Sequence, residues 1–371
     1  MAKKIFSIVL LALFIAACSS SDDAVNTDGG GSGTAFDRAG MLRNLADNII
    51  IPSYQNLNSD LGTLVTAKDN FNTTPNQANL DALRSAWFTA YKAWQHVESF
   101  NIGQAEQTLY AFQMNTYPVN TTDVENNVAS GSYDLTHPNN NDAVGFPALD
   151  YMLHGIGATD AEILEKYTTN AEAGKYQAYL SDLVNQMQTL TQAISSDWTV
   201  NYRDTFISST ANTATSATNK FINDFIFYYE KGLRANKIGI PAGNFSSTPL
   251  PDRVEAFYNQ EVSKELALEA LNAVQNIFNG TEFGGSANGE SFKTYLISLD
   301  RTDLANMINN QFNTARGKIQ ELNANFATQI NTDNTKMTEA YDALQAAVVL
   351  LKVDMLQAFN ISVDYVDADG D

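Results

Sequence analysis

From Phe36 onward, apolar residues recur every three or four positions rather than every second one, the period of a helix with one buried face. The clearest case opens near Thr74-Pro75, with proline at an early helical position, and stops at Gly103. Leu80, Leu83, Trp87, Tyr91 and Trp94 form its apolar stripe. The same period predicts helices over 38–68 (kinked or interrupted at Pro52), 172–195, 212–236, 251–279, 302–326 and 335–359. No segment alternates over enough residues to argue for a sheet. Asn, Gly and Pro interrupt the pattern at 115–145, 236–251 and 280–290, and the first of these loops is long enough to suggest a function. The expected fold class is therefore all-α, with two packed helical bundles over 36–200 and 201–371 and no internal repeat.

The first 35 residues follow a different pattern. Lys3 and Lys4 precede an apolar run, Ile5 to Ile15, and then Ile15-Ala16-Ala17-Cys18 places small residues before the only cysteine. A run of about eleven residues is too short to span a bilayer, which takes roughly 20. The stretch resembles the bacterial lipobox, which makes 1–17 a signal peptide and Cys18 the lipidation site. Acyl chains there would anchor the protein firmly. Residues 18–35, rich in Ser, Asp and Gly, read as a flexible tether. Asp22 and Asp23 resemble the acidic export tag of surface lipoproteins in Bacteroidetes-type bacteria. The expected location is the cell envelope, as an outer-membrane lipoprotein exposed at the surface.

The chain has 371 residues, enough to bury a substantial core without staples, and with Cys18 acylated it has no disulfide to help. Its net charge is −20, from 22 Lys+Arg against 42 Asp+Glu. Such a surface repels phosphate backbones, which argues against a nucleic-acid partner, and tolerates cations. There is no P-loop, no Gly-x-Ser-x-Gly elbow and no haem-attachment motif.

Within this frame a few polar residues stand out. Glu98 lies four residues after Trp94 and seven after Tyr91, so it continues the apolar stripe. It is either partnered in a desolvated setting or frayed into water at the last turn. His96 points roughly 200° away from Trp94 and reads as a surface histidine. Pro147 and Gly155 bracket a short apolar helix on which Asp150 and His154 stand at i and i+4. These two could share a proton or hold a metal, or they could complement the two helix ends. Lys231, Arg234 and Lys237 gather near a helix end, either complementing its dipole or offering a dock for a carboxylate or an anionic iron chelate. Asp364, Asp367, Asp369 and Asp371 resemble the front of a calcium loop but lack its later Glu, and read as a solvated terminus.

Together these segments resemble the imelysin-like family. Ala86-Trp87 through Trp94, Glu98 and Phe100 look like its first signature, and Gly145 to Leu153 sits where the family carries Gly-x-His-x-x-Glu. The resemblance continues through Asn236 to Pro241, Val254 to Tyr258 and Val348 to Asp354. It implies two helical bundles with a site between them, and a family that includes an insulin-cleaving metallopeptidase and envelope proteins tied to iron uptake. Carried over residue by residue, Glu98 matches the first acid and Gly145 the motif glycine. Pro147 stands where histidine belongs, and Asp150 replaces the glutamate. Proline supplies no ligand atom, and the three histidines (His96, His137, His154) form no HExxH string, so two-His zinc chemistry is poorly supplied.

The candidate ligand-binding set is thus Glu98, Gly145, Asp150 and His154. Glu98, Asp150 and His154 are the candidates for a metal, namely iron or another divalent or trivalent cation. The leading expectation is a non-enzymatic lipid-anchored protein that assists iron or ligand uptake with an outer-membrane or iron-transport partner. The alternatives are a metallopeptidase working through Glu98, Asp150 and His154, and a surface interaction module using the 115–145 loop.

Overall fold

The computed structural model describes residues 36–259 and 261–365. Cys18, the tether, Asp367, Asp369 and Asp371 lie outside the described residues. The expected all-α class is what is found, with one isolated bridge, Thr281 to Asn288, as the only β pairing among the described residues. No helix among them is long and apolar enough to cross a membrane.

In the first half, Ile51–Thr73 lies against both Gln77–Gln95 and Ala173–Asp197. Leu80, Leu83, Trp87, Tyr91 and Trp94 are all buried, as their spacing requires. In the second half, Ser263–Asn279, Thr302–Gln320 and Phe326–Val349 pack together and onto the segment Tyr228–Gly239. The halves share one continuous apolar core. Phe36 stacks on Tyr295 at 4.4 Å, and Asn44 donates to the carbonyls of Gly280 and Glu290 at 3.0 and 3.1 Å. The start of the chain is thereby fastened to the second half.

Pro52 does not break its helix. The turn before it, Leu45–Ile50, widens to π-helical winding, and the N–H of Ile51 reaches back to Ala46. Proline then sits at the head of Ile51–Thr73, where its missing N–H is tolerated. Other boundaries differ from expectation. The first signature helix ends at Gln95, not Gly103. The 115–145 stretch is not structureless: Asn120 caps a helix over Thr121–Ser130, and a 3-10 turn covers Pro138–Ala143. The 251–279 helix begins only at Ser263, because Pro251–Arg253 forms a single 3-10 turn and 254–259 is a loop committed to other contacts. Asp333, with φ −156°, kinks the last long helix close to where its apolar period begins.

Candidate functional site

Glu98 lies in the turn that follows Gln95, its N–H bonded to the carbonyl of Trp94 at 2.9 Å. Its carboxylate is turned inward, with a side chain only 13% exposed. Asn115 Nδ2 donates to Oε1 at 2.8 Å, Tyr228 Oη donates to Oε2 at 3.1 Å, and Lys237 Nζ lies 3.3 Å from Oε2. A second carboxylate, Glu255, closes the group. Lys237 Nζ donates to both its oxygens at 2.7 Å, Asn115 Nδ2 donates at 2.9 Å and Gln95 Nε2 at 3.3 Å. The Tyr91 hydroxyl donates to Asn115 Oδ1 at 2.6 Å and so fixes which way the amide faces. Two acids and one ammonium therefore form a buried node held by neutral amides and phenols.

Helix winding explains how Tyr228 and Lys237 both reach Glu98. Nine residues of α-helix end on the opposite face, at 3.6 residues per turn. Tyr228–Gly239 is π-helical, and over its wider turns the two side chains fall on one side. Burial alone would push the Lys237 ammonium down, but Glu255 and Glu98 hold it above its ordinary value. Burial together with these acids pushes the phenols of Tyr91, Tyr117 and Tyr228 well up, so they stay neutral donors.

Asp150 belongs to an adjoining arrangement. It ends the short helix Gly145–Asp150, is buried, and accepts the N–H groups of Tyr258 and Asn259, each at 2.8 Å. Burial pushes its carboxyl up to about 7, partly offset by those two bonds. The loop it holds passes through Ala256 at φ +56°, a left-handed conformation that costs about 1–2 kcal/mol for a residue with a Cβ. The strained turn carries Glu255 to Lys237 on one side and Tyr258 to Asp150 on the other. Between the motif helix and this loop lies a cavity of about 200 Å³, lined by Tyr117, Pro147, Asp150, Asp252, Phe257 and Tyr258 among others.

Gly145 works through its backbone. At φ +72° a Cβ would lie 2.1 Å from the carbonyl oxygen of Met114, so only glycine lets the motif helix start against the strand of chain that carries Asn115. His154 does not join Asp150. Its Nε2 is buried with no partner, its ring stands 5.5 Å from that of Trp87, and burial, with Arg84, pushes its pKa down to about 3. Of the two readings of Asp150 and His154, the shared proton or metal is not what forms, because the loop N–H groups occupy the carboxylate. His96 does point away from Glu98, but it is not a free surface group: it pairs with Glu269 and meets Phe283 edge-on. Arg234 and Lys237 are buried too and paired with acids, so neither is open to an outside anion, the docking alternative raised for that basic cluster. Arg234 pairs with Glu230 at 3.5 Å and lies over the rings of Phe245 and Tyr341.

A metal does not fit the acid pair as it stands. The Lys237 ammonium already occupies the cation position between Glu98 and Glu255. Glu98, Asp150 and His154 do not converge, and no three His, Cys, Asp or Glu side chains among the described residues form a group that could hold an ion. Glu255, Asn115 and Tyr228 were not singled out by sequence. The signal for Glu255 was an acid inside the apolar string Val254-Glu255-Ala256-Phe257-Tyr258.

The comparisons with known proteins agree with this architecture. The chain is 22% identical over 280 residues to iron-regulated protein A of Synechococcus elongatus, covering 74% of this chain and 73% of that one. Its fold matches a candidate iron-regulated protein A precursor of Parabacteroides distasonis with a TM-score of 0.72 at 16% identity, over 90% of this chain and 97% of that chain. An imelysin-like protein of Psychrobacter arcticum matches with a TM-score of 0.70 at 19% identity, over 89% and 97%. The sequence profile of the family described as Imelysin matches residues 50–353. The chain belongs to the imelysin family.

Proposed function

We propose that this protein is a non-catalytic, lipid-anchored component of the cell envelope that binds a ligand beside the motif helix and assists iron or ligand uptake. The observation that carries the reading is the Lys237 ammonium between Glu98 and Glu255. In a metallopeptidase such acids would hold the metal or serve as the general base. Here an internal cation occupies the space between them, and proline stands at the motif histidine, which argues against a hydrolytic centre. What is left is a cavity with an acid on its wall, which suits binding. Iron as the cargo rests on relatives named for iron regulation. The anchor rests on the lipobox-like stretch before Cys18.

Calorimetric titration of the acylated full chain in detergent with ferric salt, ferrous salt and chelated iron tests the iron assignment. Saturable heat with one of them is expected, and no heat with any overturns it. Chelator-sensitive cleavage of insulin B chain, lost in Glu98→Ala with folding intact, would overturn the non-catalytic reading. Cys18→Ala should move the protein from the membrane fraction to the soluble one; unchanged fractionation would overturn the anchor.

A further inference from the structure

The 200 Å³ cavity is smaller than the roughly 300–1,000 Å³ typical of drug-sized ligands, so it suits a group the size of one side chain. Its walls are of two kinds. Three aromatic rings (Tyr117, Phe257, Tyr258) and two prolines (Pro118, Pro147) supply apolar faces, while Asp150 and the exposed Asp252 supply carboxyl groups. No basic side chain lines it. Of the nearby bases, Lys237 is committed to Glu98 and Glu255, the exposed Arg253 reaches Asp252 only at 3.7 Å, and Asp150 is met by two backbone N–H donors rather than by a cation.

We propose that this cavity is a receptor for a small organic cation, an alkylammonium or guanidinium head carried on a short apolar stem. The proposal deepens the ligand-binding reading above and rests on it. Ring faces attract such cations and also cover their methylenes. A bare metal ion is the poorer occupant: a hard cation needs six or more oxygen ligands, whereas this lining offers two carboxylates among rings, prolines and aliphatic side chains. The net charge of −20 raises the local concentration of any cation at the mouth.

The chemistry carries a signature. At neutral pH the Asp150 carboxyl is partly protonated, since burial holds it near 7. The titratable groups coupled to it are the phenols of Tyr91 and Tyr258, both held above their ordinary value; Asp252, with Arg253 at 3.7 Å, lines the same cavity. An arriving cation favours the ionised carboxylate and drives the proton into solvent. Affinity should therefore rise about tenfold from pH 6 to pH 8.

Calorimetry on the full chain with n-butylammonium and ethylguanidinium chloride, against n-butanol and potassium chloride at matched ionic strength, tests this. Expected are one saturable site, at least tenfold preference for the ammonium over the alcohol, and heats that depend on buffer ionisation through proton release. Asp252→Asn, an exposed change, should weaken binding several-fold, and Asp150→Asn should abolish the pH dependence. Should Asp150→Asn fail to fold, Phe257→Leu supplies the second readout, with ammonium affinity falling while the melting curve holds. Equal affinity for alcohol and ammonium, or affinity unchanged between pH 6 and 8, overturns the proposal. Saturable iron binding without ammonium binding overturns this inference alone, whereas silence towards every probe overturns the ligand-binding reading as well.

Discussion

On the segment Tyr228–Gly239, Lys237 serves two carboxylates, Glu98 and Glu255, while Glu230, seven residues earlier, serves two cations, Arg234 and Lys352. The partners of Lys237 come from distant parts of the chain, the turn after Gln95 and the loop at 254–259, and Asn115 ties the two acids together. Those of Glu230 come from its own turn and from the end of the fold, Lys352 and Tyr365. The first network therefore joins the two halves of the molecule, and the second fastens the C-terminal helices to one half. Only the first is joined, through the 254–259 loop, to the residues that line the cavity. A buried charge group whose partners converge from far apart marks the site better than burial or charge does by itself.

The comparison is broken most forcefully at Lys237. Lys237→Met leaves two buried carboxylates without their cation and should cost about 3–5 kcal/mol, read as a lower urea midpoint with an unchanged slope. Adding Glu255→Gln to that variant should recover part of the loss, because the stranded charge goes with it. If the double variant is no more stable than the single one, Lys237 and the two acids do not act as one unit.

A second test separates the node from the cavity by pH. Asp150 is raised in the folded state, to about 7, above an unfolded value of about 4. The folded state then holds a proton that the unfolded state has released, so this group's contribution falls as pH rises from about 4 through 7. The loss should be on the order of 2–3 kcal/mol across that window. It is read as the difference between wild type and Asp150→Asn in urea titrations at pH 4.5, 6 and 7.5. A difference that stays flat across the three would refute a protonated buried Asp150.

Glu230→Gln should cost less than Lys237→Met, about 1–2 kcal/mol, because Arg234 keeps the hydroxyl of Tyr341 at 2.8 Å and its aromatic neighbours. A loss equal to that of Lys237→Met would erase the distinction between a network that joins the halves and one that braces a single half.

How far the chain announces these features depends on where each residue's partners lie. The helix Gln77–Gln95 was legible because its burial is local, one stripe facing one neighbour. Glu98 was legible for the same reason, as an acid continuing that stripe. The 254–259 loop was not: Val254, Phe257 and Tyr258 have helical spacing, yet Val254 is buried and the two rings line the cavity through long-range contacts, with the backbone held by Asp150, more than a hundred residues away. Lys237 showed its charge but not its role, since Glu98 and Glu255 reach it through the packing of the halves. The widening of Tyr228–Gly239 to π-helical winding leaves no mark in a period read at 3.6, although it places Tyr228 and Lys237 together.

The smallest change is expected at His154, in the turn Tyr151–Gly155 that follows the motif helix. Its Nε2 is buried without a hydrogen-bond partner, so it already bears the desolvation cost of an unmet polar group. His154→Leu removes that cost and keeps contact with Trp87, and stability at pH 7 should stay within about 1 kcal/mol of wild type. The pH dependence supplies the sharper reading. The folded pKa is depressed to about 3, by burial first and then by Arg84, against an unfolded value near 6.5. The unfolded state therefore binds the extra proton between these values, and wild type should lose stability as pH falls from about 6.5 towards 3. His154→Leu should lose less over the same range, opposite in sign to the change made by Asp150→Asn. Were the two carried by a shared proton, the variants would shift the same limb together; opposite shifts identify an imidazole that is packed and neutral, standing next to an acid that answers to the loop.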